Sequence, residues 1–137
     1  MAYTLGNISQ FDLKPSTALG VKIPFSSNSV FKSVYSTKDQ LKYNIINYLL
    51  TDPRERLFNP TFGSGLRSKI FQQITSITIE EIRLSLTTKL EKQFPNILVT
   101  NIEITPNYDS NLINISLSYT ITNTGEIDEA NIDILKA

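Results

Sequence analysis

Apolar residues recur along this chain with two different periods, and the change from one to the other falls at Pro95. From Thr37 the spacing is helical. Leu41, Ile45, Ile46, Leu49 and Leu50 make one stripe, Thr37-x-x-Gln40 reads as a capping box, and Asp52-Pro53 stops the run. A second box, Thr78-x-x-Glu81, predicts a longer helix with Ile79, Ile82, Leu86 and Leu90 on one face, Phe94 at its foot and Pro95 closing it. Leu66 to Phe71 predicts a short helix between the two.

Beyond Pro95 the period falls to two. Leu98, Ile102 and Ile104 predict a strand ending at Pro106, and Asn107-Tyr108-Asp109-Ser110-Asn111 has the composition of a turn. Ile113, Ile115, Leu117, Tyr119 and Ile121 then alternate with Asn114, Ser116, Ser118, Thr120 and Thr122, giving one apolar face and one polar, uncharged face. After the turn Asn123-Thr124-Gly125, Ile127, Ile132 and Ile134 predict a last strand rich in carboxylates, from Glu126 to Leu135. Ahead of the helices the pattern is weaker. Leu19, Val21, Ile23 and Phe25 alternate as a short strand that Pro24 places at an edge or an end, and Ser26-Ser27-Asn28-Ser29 reads as loop. Two main helices followed by an antiparallel meander make an α+β fold. The length, 137 residues, fits a single domain over 1–137, with residues 1–17 as an extended or flexible N-terminal segment.

Composition narrows the chemistry. With no His and no Cys there is no Ser-His-Asp triad, no thiol nucleophile, no disulfide framework and no ordinary transition-metal site. An all-oxygen metal site or a carboxylate pair is what remains, so no cofactor and no small-molecule substrate are expected. No apolar run reaches the roughly 18 residues of a membrane span, and Met1 to Asn7 lacks the pattern of a signal peptide. The expected setting is a soluble protein made in a cytosol, with no membrane partner.

Net charge is zero, but residues 1–70 carry nine basic and four acidic side chains, and residues 71–137 carry four and nine. Such asymmetry suits docking between protein surfaces. A nucleic-acid module would need aromatics on a basic stripe. Lys14, Lys22, Lys32, Lys38 and Lys42 are scattered; Tyr35, Tyr43 and Tyr48 lie near three of them, but Tyr43 and Tyr48 point in different directions and the acidic half would repel phosphate, so no nucleic-acid partner is expected.

The densest punctuation lies in Asp52-Pro53-Arg54-Glu55-Arg56-Leu57-Phe58-Asn59-Pro60-Thr61-Phe62-Gly63-Ser64-Gly65-Leu66. The simplest reading is a rigid turn in which prolines fix φ, glycines allow positive φ, and Phe58 and Phe62 plug the core. The alternative is a shaped docking surface. Gly63-x-Gly65 lacks the Lys-Ser/Thr ending and the preceding strand of a phosphate loop.

This stretch resembles the signature of the contractile-tail baseplate family of T-even-like phages, a small wedge protein that also serves as sheath initiator, with relatives in type VI secretion and phage-tail-like bacteriocin baseplates. The family pattern is a helix, a Thr-x-x-Gly-x-Arg or Pro-x-Glu-Arg turn, then Pro-x-Phe-Gly-x-x-Leu. Here the chain reads Thr51-Asp52-Pro53-Arg54-Glu55-Arg56 and then Pro60-Thr61-Phe62-Gly63-Ser64-Gly65-Leu66. With size and element order, the resemblance covers about residues 18 to 135. It implies a structural virion protein of the tail baseplate, not an enzyme. Its partners would be other baseplate wedge proteins and the tail-sheath protein. Wedge contacts would involve Glu55, Arg56, Phe58, Pro60, Phe62 and Gly63, with Arg56 orienting the loop and Phe58, Pro60, Phe62 and Gly63 holding its shape. After the long helix the family often carries Glu-Pro-Arg, whereas this chain has Phe94-Pro95-Asn96. Only Pro95 matches, so an apolar Phe94 contact, or Glu55 and Arg56 in the polar role, would compensate. The plainer reading makes Phe94 the last core residue of its helix.

The resemblance also implies that the sheet accepts a strand from the first sheath ring. Glu126, Ile127, Asp128, Glu129, Ile132 and Asp133 are the candidate positions. Their carboxylates would deter unwanted pairing and attract a basic arm, or would simply form a solvated face. The competing function is a lysozyme-like glycoside hydrolase acting on peptidoglycan, with Glu55 paired to Glu80 or Glu81. Arg54 and Arg56 surround Glu55 with positive charge, poor surroundings for an acid that must hold a proton, and acidic residues at a helix start need no catalytic explanation.

Overall fold

A computed structural model describes residues 10–13, 16–23, 32–72, 74–107, 109–110 and 112–135. Pro24, Phe25, the Ser26–Ser29 loop and Tyr108 lie outside them. A two-stranded ribbon, β1 (Gly20–Val21) against β2 (Ser33–Val34), precedes helix α1 (Thr37–Leu50), the short α2 (Leu66–Ile70) and the long α3 (Ser76–Gln93). Strands β3 (Ile97–Asn107), β4 (Leu112–Ile121) and β5 (Ile127–Leu135) then form an antiparallel sheet in the order β3-β4-β5. The architecture is α+β, with α1 against β5 and α3 against β3 on one face of the sheet.

Both helices form where the periodicity placed them, but neither is capped as predicted. The Thr37 N–H and hydroxyl both donate to Asp12, at 2.8 and 2.6 Å, and Ser36 is the N-cap. The orphan donor is thus satisfied by a turn of 3-10 helix at Gln10–Leu13, inside the segment expected to be extended. Helix α3 begins earlier than the Thr78 box implied: Thr75 is its N-cap and accepts from the Thr78 N–H at 3.2 Å.

The core is the layer between helices and sheet. Ile45, Ile46, Tyr48 and Leu49 of α1 and Ile82, Leu86 and Leu90 of α3 meet Ile113, Ile115, Leu117, Tyr119 and Ile121 of β4. Strand β4 alternates as its sequence predicts because nothing interrupts its pleat. Strand β3 does not. A bulge takes Thr100 out of the register between Val99↔Tyr119 and Asn101↔Ser118, which reverses the phase of the first residues. Ile97 is therefore buried and Leu98 exposed, the opposite of the predicted assignment.

Pro106 lies within β3, which runs one residue further than predicted. Its pairing with Ile113 puts its missing N–H on the free edge of the strand, where proline costs no ladder bond. On β5 the inward residues are Asp128, Ala130, Ile132 and Ile134. Ile127, grouped by sequence with Ile132 and Ile134, faces outward and is 72% exposed.

Candidate functional site

The loop from Thr51 to Gly65 is built around the open end of α1. The last carbonyls of a helix have no partner within it. Here Thr51 satisfies Asn47 through its N–H (3.0 Å) and hydroxyl (2.6 Å), and Ser64 satisfies the next two. The Ser64 N–H reaches the Tyr48 carbonyl at 3.2 Å and that of Thr51 at 3.1 Å, while its hydroxyl donates to Leu49 at 2.9 Å. For Ser64 to come so close, the chain must press against the exit of α1. At Gly63 (φ +129°) a Cβ would stand 2.6 Å from the Thr51 carbonyl oxygen, so only glycine fits. Lys89 of α3 donates to the Ser64 carbonyl at 2.7 Å and ties the third helix to the same point. Burial, and then the neighbouring Lys69 charge, lowers Lys89 from the ordinary lysine value.

The outer half of the loop closes on itself. The Arg54 N–H donates to Pro60 at 2.8 Å, Glu55 N–H to Asp52 at 3.2 Å and Phe62 N–H to Asn59 at 3.1 Å. The Glu55 carboxylate accepts the Asp52 N–H at 3.0 Å. Arg54 has φ +76°, an uncommon conformation for a side-chain-bearing residue, and it allows the tight reversal. Arg56 lies 3.9 Å over the Phe62 ring, Phe62 meets Tyr48 edge-on at 5.1 Å, and Tyr48 meets Phe94 edge-on at 5.8 Å.

One stack therefore joins the signature loop to the Phe94-Pro95-Asn96 corner. That corner is fastened in turn to β4, since the Asn96 carbonyl accepts the Thr122 N–H at 2.9 Å and its hydroxyl at 3.0 Å. Phe94 is half-buried, in agreement with its reading as the foot of the helix. Phe58 breaks with the expectation of a core plug: it is fully exposed, as is Leu57 beside it, and neither supports the loop. Sequence reading missed Tyr48, Ser64 and Lys89 because their roles arise from contacts distant along the chain. Tyr48, considered there as a stacking platform for nucleic acid, is buried in the core.

The turn into β5 fixes which backbone groups face its free edge. Gly125 (φ +71°) donates to the Ile121 carbonyl at 2.7 Å and the Ile121 N–H donates to Glu126 at 2.8 Å, a glycine bulge. Bonded and non-bonded pairs then alternate along the register Thr120↔Ile127, Tyr119↔Asp128 and onward. Asp128, Ala130, Ile132 and Ile134 turn their N–H and C=O toward β4, as Glu126 does its C=O, while the Glu126 N–H donates to the Thr124 hydroxyl at 3.4 Å. Ile127, Glu129, Asn131, Asp133 and Leu135 turn theirs to an edge that no described strand occupies, where the Glu129 N–H donates to the Asp128 carboxylate at 2.9 Å.

The six sequence-selected positions thus split. Ile127, Glu129 and Asp133 face the free edge, and Glu126, Asp128 and Ile132 do not. Nor do all the carboxylates stand guard there. Asp128 lies under α1, pairs with Lys42 at 3.7 Å and accepts the Tyr119 hydroxyl at 3.2 Å. Glu126 pairs with Lys38 at 3.8 Å. Part of the charge asymmetry between the halves is therefore complementarity within the fold. Burial first, and then the Asp128 charge and hydrogen bond, hold the Tyr119 phenol well above the ordinary tyrosine value. On the outer face, Asp133 accepts from Asn114 at 2.7 Å and Glu129 from Ser116 at 2.5 Å.

The carboxylates considered for hydrolysis have local partners or open surroundings. Glu55 holds the Asp52 N–H, Glu80 pairs with Arg83 at 3.5 Å, and Glu81 is exposed. Among the described residues no cluster of three acidic side chains could hold a metal ion, and no helix is long and apolar enough to cross a membrane.

Comparison with known proteins bears on the whole arrangement. A crystal structure of a Geobacter sulfurreducens protein, provisionally named a tail lysozyme, superposes with a TM-score of 0.69 at 20% identity, over 76% of this chain and 95% of that one. A chain of the six-fold symmetrised anti-feeding prophage baseplate, seen by cryo-EM, gives 0.51 at 16% identity, over 82% and 79%. At these identities the likeness is one of fold. No curated protein matches the sequence. The family model described as baseplate wedge protein gp25 matches residues 36–126, from the cap of α1 to the turn before β5, and the chain belongs to that family of baseplate wedge proteins.

Proposed function

We propose that this structural baseplate protein joins other wedge subunits through the loop and corner formed by Glu55, Arg56, Phe58, Pro60, Phe62, Gly63, Phe94, Pro95 and Asn96, and that it starts tail-sheath polymerisation at the free edge of β5. The reading rests on family membership, and one observation carries its mechanism: an edge strand with outward backbone groups at Ile127, Asn131 and Asp133, and an outward carbonyl at Glu129. Strand addition needs such a row of donors and acceptors, with alternate side chains to set register. In the tail baseplate of a virion, a sheath arm pairing with β5 would extend the sheet to a fourth strand.

Proline placement tests this directly. Asn131→Pro removes a donor from the free edge, whereas Asp128→Pro removes one from the ladder with β4. The first variant should keep the wild-type circular dichroism spectrum and enter wedges, yet fail to nucleate sheath when mixed with the wedge and sheath proteins encoded beside it. The second should lose stability. Normal sheath growth on wedges carrying Asn131→Pro would overturn the strand-addition reading. The purified protein should leave a peptidoglycan suspension turbid; clearing that disappears in Glu55→Gln would establish the hydrolase instead.

A further inference from the structure

The wedge-side loop contains a frame and a tip, and the two differ in every physical respect. The frame is ordered by the bonds among Asp52, Arg54, Glu55, Asn59, Pro60 and Phe62. At the tip stand Leu57 and Phe58, 92% and 102% exposed, next to each other and packed on nothing. A single exposed apolar residue needs no explanation, but an adjacent leucine and phenylalanine held into solvent on a rigid loop do. Fold stability does not account for them. Their backbone is fixed by neighbours on both sides, and the strained φ of Arg54 is tolerated to keep the reversal that projects them. Two basic groups flank the tip. Neither the Arg54 nor the Arg56 guanidinium has a carboxylate within ion-pair distance among the described residues, and Arg56 is steadied by the Phe62 ring.

We infer that Leu57 and Phe58 form a preformed anchor that inserts into an apolar pocket on a neighbouring wedge protein, and that carboxylates on the rim of that pocket meet Arg54 and Arg56. This rests on the wedge-binding reading above and sharpens it. Contact energy is concentrated in the tip, while Glu55, Pro60, Phe62 and Gly63 serve as its mount. Anchors of this type are commonly central to an interface, and a rigid mount lowers the ordering cost of docking. The unpaired guanidinium groups decide the occupant: apolar side chains alone would suit any greasy surface, but the flanking positive charge selects an acidic rim.

The test is binding of the full chain to each purified wedge protein encoded beside it, by titration calorimetry at low and high salt. Leu57→Ser with Phe58→Ser should leave the thermal midpoint unchanged and weaken wedge binding at least about 30-fold. Arg54→Ser should weaken it several-fold and flatten its salt dependence. Undiminished wedge binding by the double variant would overturn the anchor while leaving the wedge-binding reading intact. If the wild-type chain bound no wedge protein, that reading would fall and the anchor with it. Should the double variant abolish only self-association, seen by sedimentation, the occupant would be a second copy and the inferred partner would be wrong. Asn131→Pro, which alters the free edge of β5 and not the loop, should bind wedge proteins as the wild type does.

Discussion

The loop between α1 and α2 and the sheet at the end of the chain are both ordered, but by opposite means. The sheet holds because apolar side chains repeat with the pleat: Ile113, Ile115, Leu117, Tyr119 and Ile121 all point into one layer, and each neighbour reinforces the register of the next. The loop has no period. Its order comes from single contacts that cannot be exchanged: Ser64 on the end of α1, Gly63 against Thr51, and Arg56 on Phe62 on Tyr48. A repeating pattern tolerates a local fault, as β3 tolerates its bulge at Thr100. A set of unique contacts does not. That difference suits their proposed tasks, an edge that any extended arm can extend and a fixed shape that fits one pocket.

The comparison predicts where the fold fails first. Ile115, at the middle of β4, is 1% exposed among aliphatic neighbours. Ile115→Asp buries an unpaired charge and should cost about 4 kcal/mol or more, a large share of the roughly 5–15 kcal/mol that stabilises a domain. Loss of cooperative unfolding in a urea titration is the expected readout; a native-like transition would mean the layer has more water access than the packing implies. In the loop, Gly63→Ala places a methyl within 2.8 Å of three backbone atoms at positive φ. About 3 kcal/mol is the expected cost, a fall in melting temperature of roughly 10 °C, with the Tyr48 environment changed in near-ultraviolet circular dichroism. Wild-type stability in this variant would show that the loop can move away from α1.

These same physical differences decided what could be read from sequence. Strand β4 was legible in full because alternation and burial are the same information there. Strand β3 was legible as a strand but not in phase, since one extra residue at Thr100 exchanges the faces of everything before it. In β5 the inward series Asp128, Ala130, Ile132, Ile134 hides behind a carboxylate and a small residue, so Ile127 looked like the better start. Helix positions were clear and their caps were not, because Thr37 takes its partner from Asp12, 25 residues away. Within the loop, motif spacing marked Gly63 and Phe62, but nothing local distinguishes Phe62, which stacks, from Phe58, which faces solvent.

Tyr119 offers a smaller effect with a definite sign. Its phenol is buried against Asp128, so the folded protein keeps the proton to higher pH than the unfolded chain, whose tyrosines ionise near 10. Above that value the native state binds more protons than the unfolded state, and stability must fall as pH rises. From about pH 9 to 11 the loss should be about 1 kcal/mol for this group, with a contribution of the same sign from buried Tyr48. Tyr119→Phe should cost roughly 1 kcal/mol at neutral pH through the lost hydrogen bond, and should show a shallower alkaline decline. An unchanged alkaline slope would assign the effect elsewhere.

The smallest predicted effect separates two ion pairs that sequence spacing makes look alike. Lys38 and Lys42 lie one helical turn apart on α1, and they meet Glu126 and Asp128, two apart at the entry to β5. Asp128 lies within the strand and under the helix, where it is also fixed by Tyr119, whereas Glu126 stands before the strand at the open turn. Coulomb attraction strengthens where water is excluded, and an ordered partner loses less side-chain entropy on pairing. A double-mutant cycle with Lys42→Met and Asp128→Asn should therefore give a coupling near 1 kcal/mol that persists in high salt. The Lys38 and Glu126 cycle should give a few tenths at most, vanishing in salt. Equal couplings would mean that α1 is free to rock on β5, so that the sheet is ordered by its own ladder and not by the helix that covers it.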